Sequence, residues 1–196
     1  MVKRLFDIVF SFVGLIILSP FFLFIALAVI FESKGGAFYR QVRVGRKNTD
    51  FKLFKFRSMY VDADKKGLLT VGNRDYRITR VGYYLRKFKL DELPQLVNVL
   101  KGDMSFVGPR PEVRKYVNLY SSEQLKVLEV RPGITDLASI EFINENEILA
   151  KSNNPEELYI NEIMPQKLTI NLNYIQSRTI LKDMVIIFLT VFKVFR

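Results

Sequence analysis

Leu90-Asp91-Glu92-Leu93-Pro94-Gln95-Leu96 places two adjacent acids directly after the basic residues Arg86, Lys87 and Lys89, with Gly108-Pro109-Arg110-Pro111 close behind. Proline is tolerated only in the first turn of a helix, so Pro94 predicts a helix that starts near Asp91. Asp91 then falls at or near the N-cap, where backbone N–H groups and the helix dipole favour anions. The same helix end, flanked by Arg86 and Arg110, suits a phosphate. A carboxylate held ionised among cations beside a phosphate site acts as a nucleophile or a metal ligand. The plainer reading is an acidic N-cap with ion pairs to its basic neighbours, and these seven residues taken alone favour it.

Composition narrows the chemistry further. The chain has 196 residues, enough for one domain with a real core, and a net charge of +10. That charge asks for an anionic partner: nucleic acid, acidic lipid headgroups or a phosphorylated substrate. Cysteine and histidine are both absent. Disulfides, thiol catalysis, histidine bases and the usual Cys/His zinc sites are therefore excluded. Acid–base chemistry falls to Asp, Glu, Lys or Tyr, and a metal would be a hard one held by oxygen, most simply Mg²⁺.

Upstream, Lys3-Arg4 precede an almost wholly apolar run over 8–31, long enough for a membrane segment. A cleaved signal peptide fits poorly, since the run is too long and no small-residue cleavage site follows. Ser19-Pro20 interrupts its middle, where proline removes a backbone hydrogen bond and kinks a helix. Both flanks are basic, with Lys34, Arg40 and Arg43 on the far side, so the positive-inside rule holds both ends on one face. A kinked helix over 1–33 that enters one leaflet and returns satisfies both observations; a kinked spanning helix is the alternative.

Residues 34–59 read as a β-hairpin, with Phe38, Arg40, Val42 and Val44 alternating in one strand and Phe51, Leu53 and Lys55 in the other. This stretch carries eight Lys/Arg and the single acid Asp50, a density suited to a bilayer with anionic headgroups. Aromatics bracket Lys55 and Arg57 and should hold them in place. Residues 62–75, with Gly67, Gly72 and Asn73, predict a polar surface loop, and 74–89 adds six basic residues starting at Arg74. Lys101-Gly102 stops the Pro94 helix, and a second helix is expected from 112 to about 130. Residues 141–162 carry six glutamates against Lys151 and read as a solvent-facing helical excursion. From Lys167 onward the chain is helical, and 184–196 is apolar with a basic end, suited to the core or to a membrane surface. Asp183 is expected to form an ion pair.

In this order the landmarks resemble the bacterial sugar transferases of the monotopic phosphoglycosyl transferase family. The matching residues are Lys3-Arg4…Asp7, Ser19-Pro20, Tyr39-Arg40-Gln41…Arg43-Val44-Gly45, Phe54-Lys55-Phe56-Arg57-Ser58-Met59, Thr79-Arg80-Val81-Gly82, the 90–96 stretch, Gly102 through Pro111, and Arg131-Pro132-Gly133-Ile134-Thr135. The resemblance implies transfer of a sugar 1-phosphate from a UDP-sugar to polyprenyl (undecaprenyl) phosphate, with UMP released. It implies Asp91 as nucleophile, forming a phosphosugar–enzyme intermediate beside Mg²⁺, which Asp91 also ligates, and Glu92 as assisting base. Lys55, Arg57, Arg86 and Arg110 would steady phosphate, with Pro109, Pro111, Arg131 and Thr135 completing the substrate site. The fold expected is α+β and mainly helical. A re-entrant membrane helix, broken at Ser19 and Pro20, joins a catalytic domain over 34–196 with a small β-hairpin and amphipathic helices. That domain would rest on the cytoplasmic face of the bacterial inner membrane, in a minimal version without a large N-terminal membrane bundle. Homo-oligomerisation is left open.

Two positions depart from the family pattern. Ile143 stands where relatives carry an arginine near the nucleotide sugar, and Asn171 where they often carry an aspartate. A non-catalytic membrane-surface scaffold that binds acidic lipid or a partner is the rival from another class. Nucleic-acid binding accounts for the charge alone and leaves the membrane segment unexplained, so no nucleic acid is expected as partner. An ordinary glycosyltransferase would release UDP instead of UMP.

Overall fold

The computed structural model describes residues 2–67, 69–72 and 75–194. Asn73 and Arg74 of the polar loop and the terminal Arg196 lie outside them. Helix α1 (Val2–Glu32) runs 31 residues with Pro20 inside, so helical structure continues through the expected break. The reason is local. Pro20 has no N–H for the Ile16 carbonyl, and Ser19 Oγ donates to that carbonyl instead, at 2.8 Å. The most apolar window of α1 has a mean hydropathy of 2.8 and is 11% buried, so the helix is long and apolar enough to cross a membrane.

Polar ties hold α1 to the rest of the chain at both ends. Arg4 donates to the carbonyls of Val99 and Leu100 at 2.6 and 3.0 Å, and Asp7 accepts from Ser105 Oγ and Phe106 N at 3.1 and 3.2 Å. At the other end Glu32 accepts from Arg80 N and Val81 N at 2.7 and 2.9 Å, covering two orphan donors at the start of helix α2 (Arg80–Lys87). Between these ties Ile25 and Val29 of α1 are buried with Phe56 and Leu85.

Strands β1 (Phe38–Val44) and β2 (Asp50–Phe56) form the expected antiparallel hairpin. Lys47 and Asn48 take left-handed φ of 59° each in its turn. Its faces sort differently from the alternation read in the sequence: Phe38, Arg40 and Val42 are exposed, and Tyr39, Gln41 and Arg43 turn inward. After α2, Lys89 at φ 55° swings the chain into a 3₁₀ turn, Leu90–Glu92, and helix α3 (Gln95–Lys101) follows. Pro94 directly precedes α3, so the α-helix begins four residues later than expected and Asp91 lies in the 3₁₀ turn. Gly102, at φ 97°, closes α3 by donating to the Asn98 and Val99 carbonyls.

Two three-residue strands, β3 (Ser105–Val107) and β4 (Gly133–Thr135), pair in parallel, a feature too short for sequence periodicity to reveal. Between them the expected long helix over 112–130 is two short pieces, α4 (Arg114–Val117) and a 3₁₀ segment, Gln124–Glu129. Ser121 causes the division. Its N–H donates to Gln124 Oε1 at 2.8 Å and its Oγ accepts from Gln124 N at 3.3 Å, a reciprocal cap that restarts the chain.

Helices α5 (Leu137–Glu141), α6 (Glu145–Ala150) and α7 (Pro155–Leu158) lead through a π-helical turn, Tyr159–Ile163, into α8 (Met164–Ser177) and α9 (Ile180–Val194). The acidic excursion is not simply solvent-facing. Its Leu149 and Tyr159 are buried with Val113, Tyr116, Val127, Ile163, Met164 and Leu168 in the largest apolar cluster. In α9, Ile186 is fully buried and Phe188 is 70% exposed, so the helix is amphipathic. Asp183 makes the expected ion pair, with Lys3 at 2.6 Å, and accepts from the Tyr174 hydroxyl at 2.5 Å.

The crossing of β4 with the Gly108 turn is close enough to test. A Cβ on Gly133 would lie 2.2 Å from Gly108 N and 2.4 Å from its carbonyl oxygen. Gly133→Ala is expected to cost about 3 kcal/mol, at the upper end of overpacking effects, because the obstacle is backbone. A thermal melt of the detergent-solubilised variant checks this, and an unchanged midpoint would refute the crossing.

Candidate active site

The 3₁₀ turn buries both acids: Asp91 is 4% and Glu92 8% exposed. Their surroundings differ. Glu92 accepts from Lys55 Nζ on β2 at 3.1 Å, and from both terminal nitrogens of Arg110, with Nη1 at 3.1 Å. Asp91 has no hydrogen bond or ion pair among the described residues. Burial acts to raise both carboxyls, but their charge balance separates them. The Arg110 guanidinium and the Lys55 ammonium overcome burial at Glu92 and hold it well below the ordinary carboxylate range. At Asp91, burial together with the neighbouring Glu92 charge outweighs Lys55, Arg86 and Lys89, and its affinity for a proton is raised. Burial lowers Lys55 against the pull of Glu92. The Glu92 charge, more than any other cause, holds Arg110 protonated.

These groups line a cavity of about 640 Å³. Asp91, Glu92, Lys55, Arg86, Arg110 and Thr135, all nominated from sequence, lie on its walls. Arg86 donates to Thr70 Oγ1 at 3.0 Å, and the Thr135 hydroxyl is 2.6 Å from that of Thr190 on α9. Arg57 also borders the cavity, but its guanidinium is engaged with the Gly35 and Gly36 carbonyls at 2.5 and 3.0 Å, fastening the link from α1 to β1.

Pro109, Pro111 and Arg131 are not among the lining residues and serve the frame. The Pro109 carbonyl accepts from Gly133 N at 3.0 Å, the Pro111 carbonyl from Arg43 at 3.1 Å, and Arg131 donates to the Gly102 carbonyl at 2.8 Å. Ser19 and Pro20 sit exposed in the middle of α1.

Three residues that the sequence reading did not nominate bear on the site. Asp136, 1% exposed, accepts from Arg110 N at 2.7 Å, from Ser139 N at 2.5 Å and from Asn171 Nδ2 at 3.3 Å. It therefore caps α5 and fixes the backbone of the residue that clamps Glu92. Its signal was legible, since aspartate directly before Leu137-Ala138-Ser139 is an N-cap pattern. On the opposite wall Lys167 and Glu145 form an ion pair at 2.5 Å, which joins residues 22 apart and has no local signal. Ile143 also lines the cavity, and Asn171 meets Asp136, so both departures from the family pattern lie at or next to the site.

Comparison with known proteins places the chain in a family. The family model described as bacterial sugar transferase matches residues 1–196. A UDP-glucose:undecaprenyl-phosphate glucose-1-phosphate transferase of Klebsiella pneumoniae is 42% identical over 98% of this chain and 40% of its own length. Its counterpart in Escherichia coli (strain K12) is 38% identical over 100% of this chain and 40% of its own length. A putative undecaprenyl-phosphate N-acetylgalactosaminyl 1-phosphate transferase of Bacillus subtilis (strain 168) is 44% identical over 62% of this chain and 68% of its own. The chain thus spans about two fifths of the length of the first two relatives. With a match along its whole length and with the acidic pair, the arginines and the apolar helix all in place, the chain belongs to the bacterial sugar transferase family.

Proposed function

We propose that this chain transfers a sugar 1-phosphate from a UDP-sugar to polyprenyl phosphate at the cytoplasmic face of the bacterial inner membrane, with UMP as the leaving product. The observation that carries the reading is the asymmetry of the acidic pair: Glu92 is tied by two cations, and Asp91 faces a large basic cavity with no partner. An Asp91 oxygen attacks the phosphorus that bears the sugar, the bond from that phosphorus to the UMP oxygen breaks, and an aspartyl phosphosugar forms. A phosphate oxygen of the polyprenyl phosphate then attacks the same phosphorus. The Asp91–phosphorus bond breaks, giving the polyprenyl-diphosphate sugar and the free carboxylate. Splitting the transfer in two lets the soluble and lipid substrates occupy one cavity in turn.

The side chains supply positioning and charge. Arg110, Lys55 and Arg86 neutralise the phosphate oxygens. Glu92, held strongly acidic by its cations, is suited to orienting Arg110 and Lys55 and poorly suited to taking a proton. The acceptor phosphate, with a second pKa near about 6, is mostly ionised at neutral pH and needs no strong base. Among the described residues no three acids cluster as an all-protein metal cage. Mg²⁺ typically uses one or two carboxylates together with substrate phosphates, and the partner-free Asp91 fits that pattern. Asp91 would hold the ion, which when bound supplies further charge neutralisation at the diphosphate.

The re-entrant course of α1 is part of the same proposal. Arg4 and Asp7 near one end and Glu32 at the other all bond to the same domain, so a helix crossing the bilayer would have to leave contacts at one of its ends. The relatives' names include glucose and N-acetylgalactosamine, so the sugar itself is read from a donor panel.

The decisive experiment supplies Mg²⁺, polyprenyl phosphate and a panel of UDP-sugars to the protein in nanodiscs. UMP release with one donor is expected, and release of UDP would exclude the phosphosugar route. Asp91→Asn is expected to abolish release and trapping of the covalent adduct; release retained by the variant would overturn Asp91 as the nucleophile, and no release from any donor by the unaltered protein would favour the scaffold alternative.

The same variant should be more stable at neutral pH. Asp91 binds its proton more tightly folded than unfolded, so it costs stability as pH rises above the ordinary carboxylate value through its raised one. The amide carries no such charge, so Tm is expected to rise, each ~1 kcal/mol of relief being worth about 2–4 °C in a chain of this size. A lowered Tm would contradict the uncompensated carboxylate.

Arg110→Ala is expected to lower kcat about 10²–10³-fold, the loss typical of one transition-state donor. Steady-state UMP release measures it, and a change confined to KM would make Arg110 a ground-state contact only.

A further inference from the structure

Antiparallel pairing sets Phe38 opposite Phe56, Arg40 opposite Phe54 and Val42 opposite Lys52, so these side chains share one face of the β1–β2 hairpin. The cavity is lined mainly from the other face, by Tyr39, Gln41, Arg43 and Lys55, with Phe56 alone reaching it from this one, and Arg40 and Lys52 are exposed here together with Phe38 and Val42. Lys101, at the end of α3, joins them. The Arg40 guanidinium lies 4.9 Å and Lys101 Nζ 5.1 Å from the centre of the same Phe54 ring. Among the described residues none of the three cations has a carboxylate partner. Like charges gathered without counter-charge repel one another, so the cluster is set to meet anions from outside.

Apolar groups are interleaved with these cations: Phe38 is 47% and Val42 52% exposed. That mixture, with rings at headgroup depth and charged tips beside phosphate, is the composition of a membrane interface. The strip is also tied to α1 at two places. Phe38 stacks on Phe56 at 5.2 Å, and Phe56 meets Phe22 of α1 edge-on at 5.4 Å. At the other end Arg4 of α1 holds the carbonyls of Val99 and Leu100, directly before Lys101.

We propose that the outer face of the hairpin, together with Lys101, docks on the anionic surface of the bilayer. Arg40, Lys52 and Lys101 meet lipid phosphates, and Phe38 and Val42 enter the headgroup layer. An acidic protein would satisfy the cations but gives no reason for their attachment to the membrane helix. The inference rests on α1 being seated in a bilayer and is independent of the transfer chemistry at Asp91.

The chain has no cysteine, so Val42→Cys accepts a single fluorophore. The labelled protein is placed in phosphatidylcholine nanodiscs with and without phosphatidylglycerol, together with a lipid carrying a headgroup nitroxide. Quenching is expected only with the anionic lipid and should weaken with salt. Arg40→Gln combined with Lys101→Gln should lower the docked-to-undocked ratio about 25-fold, at about fivefold per cation. Lys126→Gln, whose ammonium pairs with Glu123 at 2.6 Å, should leave it unchanged. A second label, at Leu23→Cys in α1, reports seating of the helix through acyl-chain nitroxides in both lipids. Quenching at position 23 with none at position 42, or equal quenching at 42 in both lipids, overturns the docking surface while α1 remains seated. No quenching at 23 overturns the seating and the docking together.

Discussion

Adjacent acids compete for the same cations, and in this chain Glu92 wins. Successive residues of a 3₁₀ turn point about 120° apart, so one pair of cations cannot serve both carboxylates equally. Arg110 and Lys55 reach Glu92 from two different elements, the turn after β3 and strand β2. Each of those elements is positioned for the contact. Asp136 fixes the Arg110 backbone, the β3–β4 pair sets the turn that carries it, and Asn98 locks α3 to β2 through Phe54 N at 2.9 Å and the Lys52 carbonyl at 2.8 Å. What remains is a buried carboxylate with no direct ion pair, on which Lys55, Arg86 and Lys89 act only from a distance. A reactive group kept uncompensated at a cost in stability is the usual signature of a functional site.

The long apolar helix α1 belongs to the same construction. Asp7 accepts from Ser105 and Phe106 in β3, and Lys3 reaches the Val107 carbonyl at 2.9 Å and Asp183 of α9. The strand that leads to Arg110 is thus held from one side by the start of α1 and flanked by α9. A shift of α1 would be felt at the arginine clamp through one short strand.

Long, strongly patterned features were legible in the sequence: the apolar helix, the hairpin, the Lys101-Gly102 stop and the charged pair at Asp91-Glu92. They are encoded locally, by runs, alternation and residues with special φ. The helix over 112–130 was misjudged because a helical composition continues through Ser121, where a side-chain cap to Gln124 restarts the chain. The β3–β4 pair was missed because three residues cannot display a period of two. At the site, residue types pointed to Asp91, Glu92, Lys55, Arg86 and Arg110. The division of labour between the two acids depended on which cation reaches which carboxylate, a long-range fact. Arg131, Pro109 and Pro111 belong to the same sequence blocks as cavity residues, yet they hold the frame, since a short motif contains both the group that acts and the backbone that presents it.

Ser19 and Pro20 compensate one another in a fixed direction. With proline present, the serine hydroxyl is the partner of the Ile16 carbonyl, and losing it strands a polar group among apolar neighbours. With proline absent, the backbone N–H returns and the hydroxyl becomes dispensable. Replacing the serine alone therefore leaves the Ile16 carbonyl without either donor, and replacing both together restores the ordinary backbone one. The two residues act as one unit, the proline removing a backbone donor and the serine supplying another to the same carbonyl.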